Sequence, residues 1–180
     1  MRRVPRSLLA GDADVVAPQL LNRLLVVGAC AGRIVEVEAY TADDPASHSF
    51  RGRTNRNAVM FGPAGHLYVY FTYGMHHCAN VVTGSEGDGQ AVLIRAVEPV
   101  RGVDEMAARR GRRTHIADGP GKLCQAFGLD LSVNGVDLCS GAAIGLFDDD
   151  VAPPEQSEVS MRIGISVGVD TPWRWRVAAR

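Results

Sequence analysis

The chain has 180 residues, of which 46% are hydrophobic, 22% charged and 6% aromatic, and its formal net charge is −1. That length buries one core and is short for two, and the composition excludes a disordered, collagen-like or low-complexity chain. The longest apolar stretch, Leu24 to Ala31, is about half a membrane span, and Met1-Arg-Arg-Val-Pro-Arg6 leads into no signal-peptide core. The expectation is a soluble cytoplasmic chain with one domain over residues 1–180, of which 1–13 form a loosely ordered lead-in.

In chain order, a short helix is predicted after Asp14, with Pro18 early in it and Leu20, Leu21, Leu24 and Leu25 on its apolar side. A turn follows near Ala31-Gly32. Arg33 to Tyr40 alternates as a strand, with Val35, Val37 and Ala39 on one face and Glu36, Glu38 and Tyr40 on the other. Residues 41–65 are loop-like. His66 to Thr72 is a second strand, ending at Tyr73-Gly74, and Ala91 to Val97 a third, more fully buried one. Residues 101–110 form a helix closed by Gly111. Asp118-Gly-Pro-Gly-Lys122 opens another, which Gly128 ends. Asn134-Gly135 marks a turn, and short strands fill the rest up to Trp173–Val177. Strands outnumber helices and are joined by loops. This gives an α+β class: a single domain with a curved, largely antiparallel sheet and short helices around it.

Charge is unevenly placed. Residues 1–122 hold 15 basic and 12 acidic groups, whereas 123–161 hold seven acidic and no basic ones. Two arginine clusters, Arg51-Gly-Arg-Thr-Asn-Arg56 and Arg109-Arg-Gly-Arg-Arg113, would meet a polyanion, although a charge run is more often just a solvated face. The only lysine is Lys122, so amine chemistry has a single side-chain candidate. Cys30, Cys78, Cys124 and Cys139 are far apart and form no CxxC or zinc spacing, which reads as free thiols with no metal.

Three groups of residues suggest chemistry. Glu36 and Glu38 share a strand face with Tyr40, and a carboxylate beside an aromatic wall is a general-base setting. Arg95 lies among apolar residues of a buried strand and requires an anion, which makes it the partner expected for that carboxylate. Tyr68, Tyr70 and Tyr73 fall within six residues and precede Asn80. Rings beside basic patches hold unstacked bases, and an amide reads base edges. Asp118 to Lys122 is either a phosphate-gripping helix start or a plain cap. It is no Walker loop, because Ile116 stands where that pattern needs its first glycine and Leu123 follows the lysine.

Taken together, these segments resemble the 3-methyladenine DNA glycosylases of the alkyladenine (N-methylpurine) type. The resemblance rests on Gly32-Arg-Ile-Val-Glu-Val-Glu-Ala-Tyr40, Ala46-Ser-His-Ser49, Arg53-Thr-Asn-Arg-Asn57, Gly65 to Met75, Val92 to Pro99 and Gly119 to Gln125, in that order. It implies that Glu38 is the base activating water, that Arg95 holds that water and the carboxylate, and that the backbone at Ile163 completes the water site. Tyr40, His48 and Tyr70 would sandwich a flipped base, and Asn80 would crowd the amino group of normal guanine. Tyr73, with Met75 beside it, would wedge into the duplex, while Arg53, Arg56, Gly121 and Lys122 would meet the DNA backbone. The implied partner is double-stranded DNA carrying alkylated or deaminated purines, acted on by a monomer without cofactor, metal or membrane. The product would be an abasic site, with no lyase step. His76 and His77 depart from the family, which often has aromatic residues there.

Two other readings remain open on the residues alone. One is a non-catalytic binder of damaged or single-stranded nucleic acid that keeps the aromatic pocket. The other is a metal-dependent nuclease using Glu36, Glu38, Asp43 and Asp44.

Overall fold

Apolar, β-branched runs separated by glycine turns build one antiparallel sheet in the computed structural model, which describes residues 1–72 and 74–178. Among these residues the strands are β1 (Arg2–Arg3), β2 (Leu24–Val27), β3 (Cys30–Tyr40), β4 (Leu67–Thr72), β5 (His76–Thr83), β6 (Gln90–Arg101), β7 (Ile144–Asp148), β8 (Glu158–Ser160) and β9 (Arg174–Arg176). Their order is β1-β7-β2-β3-β6-β5-β4, with β9 added beside β3 and β8 beside β9. Helices α1 (Arg6–Leu9), α2 (Ala13–Leu20), α3 (Val103–Arg110) and α4 (Pro120–Phe127) lie around it. The α+β, single-domain expectation matches this arrangement. None of the described helices is long and apolar enough to cross a membrane.

Helix packing follows from two apolar stripes. On α2, Val16, Ala17 and Leu20 are buried against β3 and β6; on α4, Leu123, Cys124, Ala126 and Phe127 are buried against β5, β6 and α3. The larger of these side chains, Val16, Leu20, Leu123 and Phe127, each contribute about 1.5–3 kcal/mol relative to exposure. Gly111 and Gly128, both in the left-handed region, close α3 and α4 where the sequence places their ends.

β3 and β6 carry two irregularities that position the site. Ile34 pairs with Val97 and Glu36 with Ala96, so Val35 is an extra residue on β3; Val37 then pairs with Ile94, so Arg95 is an extra residue on β6. The two offsets cancel, so pairing keeps one register from Gly32 to Ile34 and again from Val37 to Tyr40; a third shift, with Val100 extra on β6, lies between Ala31 and Gly32. The alternation predicted for β3 therefore changes phase: Ile34, Val37 and Ala39 enter the core, while Val35 is only partly buried and outside it. A bulge re-aims the local side chain, and here it frees Arg95 from the core-facing row formed by Val92, Ile94 and Val97.

Other expectations need correction. The helix expected after Asp14 is α2, which starts at Ala13 and stops at Leu20 because Leu21 adopts an extended backbone (φ −59°, ψ 140°), and α1 precedes it unforeseen. Leu24 and Leu25 belong to β2, and the turn falls at Gly28-Ala29 rather than Ala31-Gly32. Strand β5 was not expected. Residues 1–13 are not a loose lead-in, since β1 pairs with β7 and Val4, Leu9 and Ala13 are buried.

Candidate active site

A pleated strand puts every second residue on one face, and four strands use this to line one cavity of about 320 Å³. Tyr40 comes from β3, Tyr68 and Tyr70 from β4, Cys78 and Asn80 from β5, Leu93 and Arg95 from β6. The loop after β3 adds Ala46 and His48, the segment between β8 and β9 adds Ile163, and Pro120 adds the start of α4. The volume lies in the range of small-molecule pockets.

Glu38 sits beside this cavity with no solvent exposure. Its Oε1 accepts the Ile163 N–H at 2.8 Å; its Oε2 accepts the Tyr40 hydroxyl at 2.8 Å and faces Arg95 Nη1 at 3.2 Å. A carboxylate has about four acceptor positions, so two hydrogen bonds and the Arg95 ion pair leave acceptor capacity on Oε1. Burial followed by the Glu38 charge pushes the Tyr40 phenol far above its ordinary range, which keeps it a donor. For Arg95, burial works against the charge, but Glu38 and Glu36 outweigh it and the guanidinium is held more firmly protonated. Arg95 Nε also donates to Glu36 Oε1 at 2.9 Å, and the same oxygen accepts from Arg174 Nε at 2.6 Å. Charges therefore alternate from Arg174 through Glu36 and Arg95 to Glu38.

The opposite wall is aromatic. His48 and Tyr70 have ring centroids 4.4 Å apart at 71°, and Tyr68 lies 5.6 Å from Tyr70. His48 Nδ1 is 3.0 Å from the Tyr68 hydroxyl. Burial, then the nearby Arg56 charge, lowers the His48 pKa from its ordinary value near 6.5 and keeps the ring neutral. Burial lifts Tyr68 to about 12 and pushes Tyr70 higher still. The loop is wrapped on Asn57, whose Nδ2 donates to the carbonyls of His48 (2.8 Å) and Gly52 (3.0 Å). Asn80 is buried and its Nδ2 donates to the Tyr68 carbonyl at 3.0 Å, which leaves its oxygen and its second N–H for a ligand.

Outside the cavity the expected residues are less gathered. Met75 is 71% exposed at the β4–β5 turn; Tyr73 lies outside the described residues. Arg53 is exposed, whereas Arg56 donates to the Phe71 carbonyl at 3.0 Å and pins the loop to β4. Gly121, in the first turn of α4, packs so closely that a Cβ would lie 3.0 Å from the His76 ring. Lys122 is paired with Asp118 at 2.9 Å. The second arginine cluster is only partly available: Arg109 donates to the Ala126 carbonyl and Arg110 to that of Ile116, fastening α3 to α4 and to the segment before it.

Sequence reasoning missed Asn57 as the loop anchor and Arg174 as the partner of Glu36. It also missed Arg162, buried against Asp44 although 118 residues separate them; an Arg directly before Ile163 was the one signal available. The nuclease reading loses support here, since Glu36, Glu38 and Asp44 each face an arginine. Among the described residues no three His, Cys, Asp or Glu side chains are grouped to hold a metal ion.

A family profile described as methylpurine-DNA glycosylase (MPG) matches residues 7–180. A protein of Burkholderia cenocepacia (strain HI2424) is 54% identical over 181 residues, spanning 97% of this chain and 87% of its own. One of Methanoculleus marisnigri is 49% identical over 179 residues, and one of Carboxydothermus hydrogenoformans 48% over 178, each spanning 96% of this chain and 93% of its own. All three carry the name "Putative 3-methyladenine DNA glycosylase". A profile that spans all but the first six residues, together with three relatives sharing about half of all positions, leaves one assignment: the chain belongs to the methylpurine-DNA glycosylase family.

Proposed function

We propose that this member of a DNA glycosylase family, a hydrolase of base excision repair, takes an alkylated or deaminated purine out of duplex DNA and hydrolyses its N-glycosidic bond with a water activated by Glu38. The observation that carries the reading is the Glu38 carboxylate, buried beside an aromatic-walled cavity with acceptor capacity left on Oε1 after Ile163 N–H, Tyr40 hydroxyl and Arg95 are counted. A water on that oxygen gives its proton to Glu38 as its own oxygen bonds to C1′ of the deoxyribose. The C1′–N electron pair leaves with the base, and an abasic site remains. Extrusion costs a few kcal/mol, less for a damaged pair, and stacking among Tyr40, His48 and Tyr70 offsets it. A purine made cationic by alkylation gains further from those ring faces, and a neutral His48 does not repel it. Met75, exposed at the turn tip, suits a wedge with Tyr73. Arg53 and the first turn of α4, with Gly121 and Lys122, suit phosphates. Lys122 is paired with Asp118 and is not presented as a nucleophile, which supports a monofunctional enzyme.

The test uses chelator-treated protein and duplexes with a single hypoxanthine or alkylated purine. Strand breaks are expected only after hot alkali, and Glu38→Gln is expected to lower the single-turnover rate by about 10²–10⁴-fold. Breaks without alkali would establish lyase or nuclease chemistry. Tight lesion binding with no base release would leave the binder reading.

A further inference from the structure

The segment that brings the Ile163 N–H to Glu38 is itself fastened by a guanidinium that takes no part in the proposed hydrolysis. The side chains of Arg162 and Asp44 are 0% and 2% exposed. Arg162 Nη1 donates to the Ala39 carbonyl at 2.9 Å and to Asp44 Oδ2; Nη2 donates to Asp44 Oδ1 at 2.9 Å and to the Gly168 carbonyl at 3.1 Å. Its guanidinium carbon lies 4.7 Å from the Tyr40 ring centroid and 5.5 Å from that of Trp173. Asp44 Oδ1 also accepts the Ala46 N–H at 3.0 Å. One cation thus ties together the end of β3, the loop after it and the 161–168 segment, and each of these supplies part of the cavity wall. Gly168, at φ +62°, closes over the pair; a Cβ there would lie 2.9 Å from Asp44 Oδ1 and 3.2 Å from Arg162 Nη2.

Stability alone does not account for this arrangement. Desolvation offsets the attraction in a buried ion pair, and apolar residues of similar volume often serve as well. Arg162 Nε has no hydrogen-bond partner among the described residues, which adds a further cost. What an apolar filler lacks is direction. A planar fork fixed on two carbonyls and a carboxylate sets the backbone at residue 162, and with it the next N–H, which meets Glu38 Oε1 at 2.8 Å. We infer that Arg162, braced by Asp44, is a positioning residue for the Glu38 centre: it holds the Ile163 N–H on the carboxylate and the Tyr40 ring at its angle without touching substrate. This rests on the proposed role of Glu38.

The experiment compares Arg162→Ala, Arg162→Lys, Asp44→Asn and Glu38→Gln. It measures single-turnover rates at saturating enzyme, lesion-duplex affinity by anisotropy and folded fraction by thermal melting. Misplacement by about 1 Å costs about 10²-fold, so Arg162→Ala is expected to lose rate on that order per folded molecule, with affinity within about threefold of the parent. Millimolar guanidinium should restore part of that loss, and sodium chloride of equal ionic strength should not. Arg162→Lys, which keeps charge but not the fork, should lie between. If Arg162→Ala does not fold, Arg162→Lys and Asp44→Asn carry the same comparison. Unchanged rates per folded molecule, or affinity falling in step with rate, would overturn the positioning role. If Glu38→Gln loses rate while the Arg162 variants keep theirs, only this inference fails; if Glu38→Gln keeps its rate, the hydrolytic reading itself fails and the inference with it.

Discussion

Glu38 meets three donors that arise from three different distances along the chain: Tyr40 two residues away, Arg95 across one strand pair, and Ile163 from 125 residues on. The first two contacts were legible in the sequence, because Glu38 and Tyr40 share a strand face and a buried Arg among apolar neighbours demands an anion. The third was reachable only through family resemblance, because a backbone N–H leaves no mark in residue type. Tyr40→Phe removes one donor from Oε2 while keeping the ring, and should slow base release about tenfold with little change in duplex affinity; single-turnover kinetics beside an anisotropy titration would show this. His48 gives a pH prediction with a definite sign. Its folded pKa lies below its ordinary value near 6.5, so the unfolded chain binds more protons and stability falls as pH drops below about 6.5. Melting temperatures between pH 7 and 5 should therefore decline less steeply in His48→Gln. Asp137, held near pKa 2 because Ser140, the Cys139 N–H and Arg6 outweigh its burial, contributes stability that is fully present between pH 7 and 5 and is lost only as the pH falls from about 4 toward 2.

The elements show where pattern reading succeeds and where tertiary context takes over. The ends of both later helices were legible, since the two capping glycines act locally, and so was the Pro120 start of α4. The helix expected from 101 instead starts at Val103, because Arg101 ends β6. Strand β5 was not legible, because its face toward α4 and its face toward the cavity are both buried over most of its length, which erases the alternation. The pattern extends α2 past Leu20 into β2, because a continuous apolar run reads equally as helix or buried strand. Close approach of helix to sheet is set by Gly32, where a Cβ would lie 2.7 Å from Val97 Cγ2 and 3.0 Å from Phe127 Cζ. Gly32→Ala should overpack this contact and cost about 1–3 kcal/mol, lowering the melting temperature by several degrees. Base release per folded molecule should change far less than stability, since the contact lies at the other end of β3 from Glu38.

At the level of the whole molecule, charge counts in the sequence overstate the surface that can meet DNA, because several arginines are used internally. Arg109 and Arg110 bind carbonyls, and Arg33, Arg95 and Arg162 face carboxylates. Arg53→Ala is expected to reduce the slope of log K against log salt by about one unit on damaged and undamaged duplexes alike. Arg109→Ala should leave that slope unchanged and instead lower the melting temperature through the lost α3–α4 tie. Fluorescence titrations at several salt concentrations, with parallel melts, separate the two.

The cancelling offsets at Val35 and Arg95 also bear on how this chain can be edited. Deleting either residue alone would slide everything beyond it by one position and turn a row of core side chains outward. Deleting both restores an unbroken ladder from Gly32 to Tyr40, in which Ile34, Val37 and Ala39 still alternate inward opposite Val92, Ile94 and Val97. Scaffold and chemistry are therefore separable by a matched pair of single-residue excisions. The doubly shortened chain should be an inert, folded reference for the family, lacking the guanidinium that spans the two glutamates yet retaining the sheet that presents them.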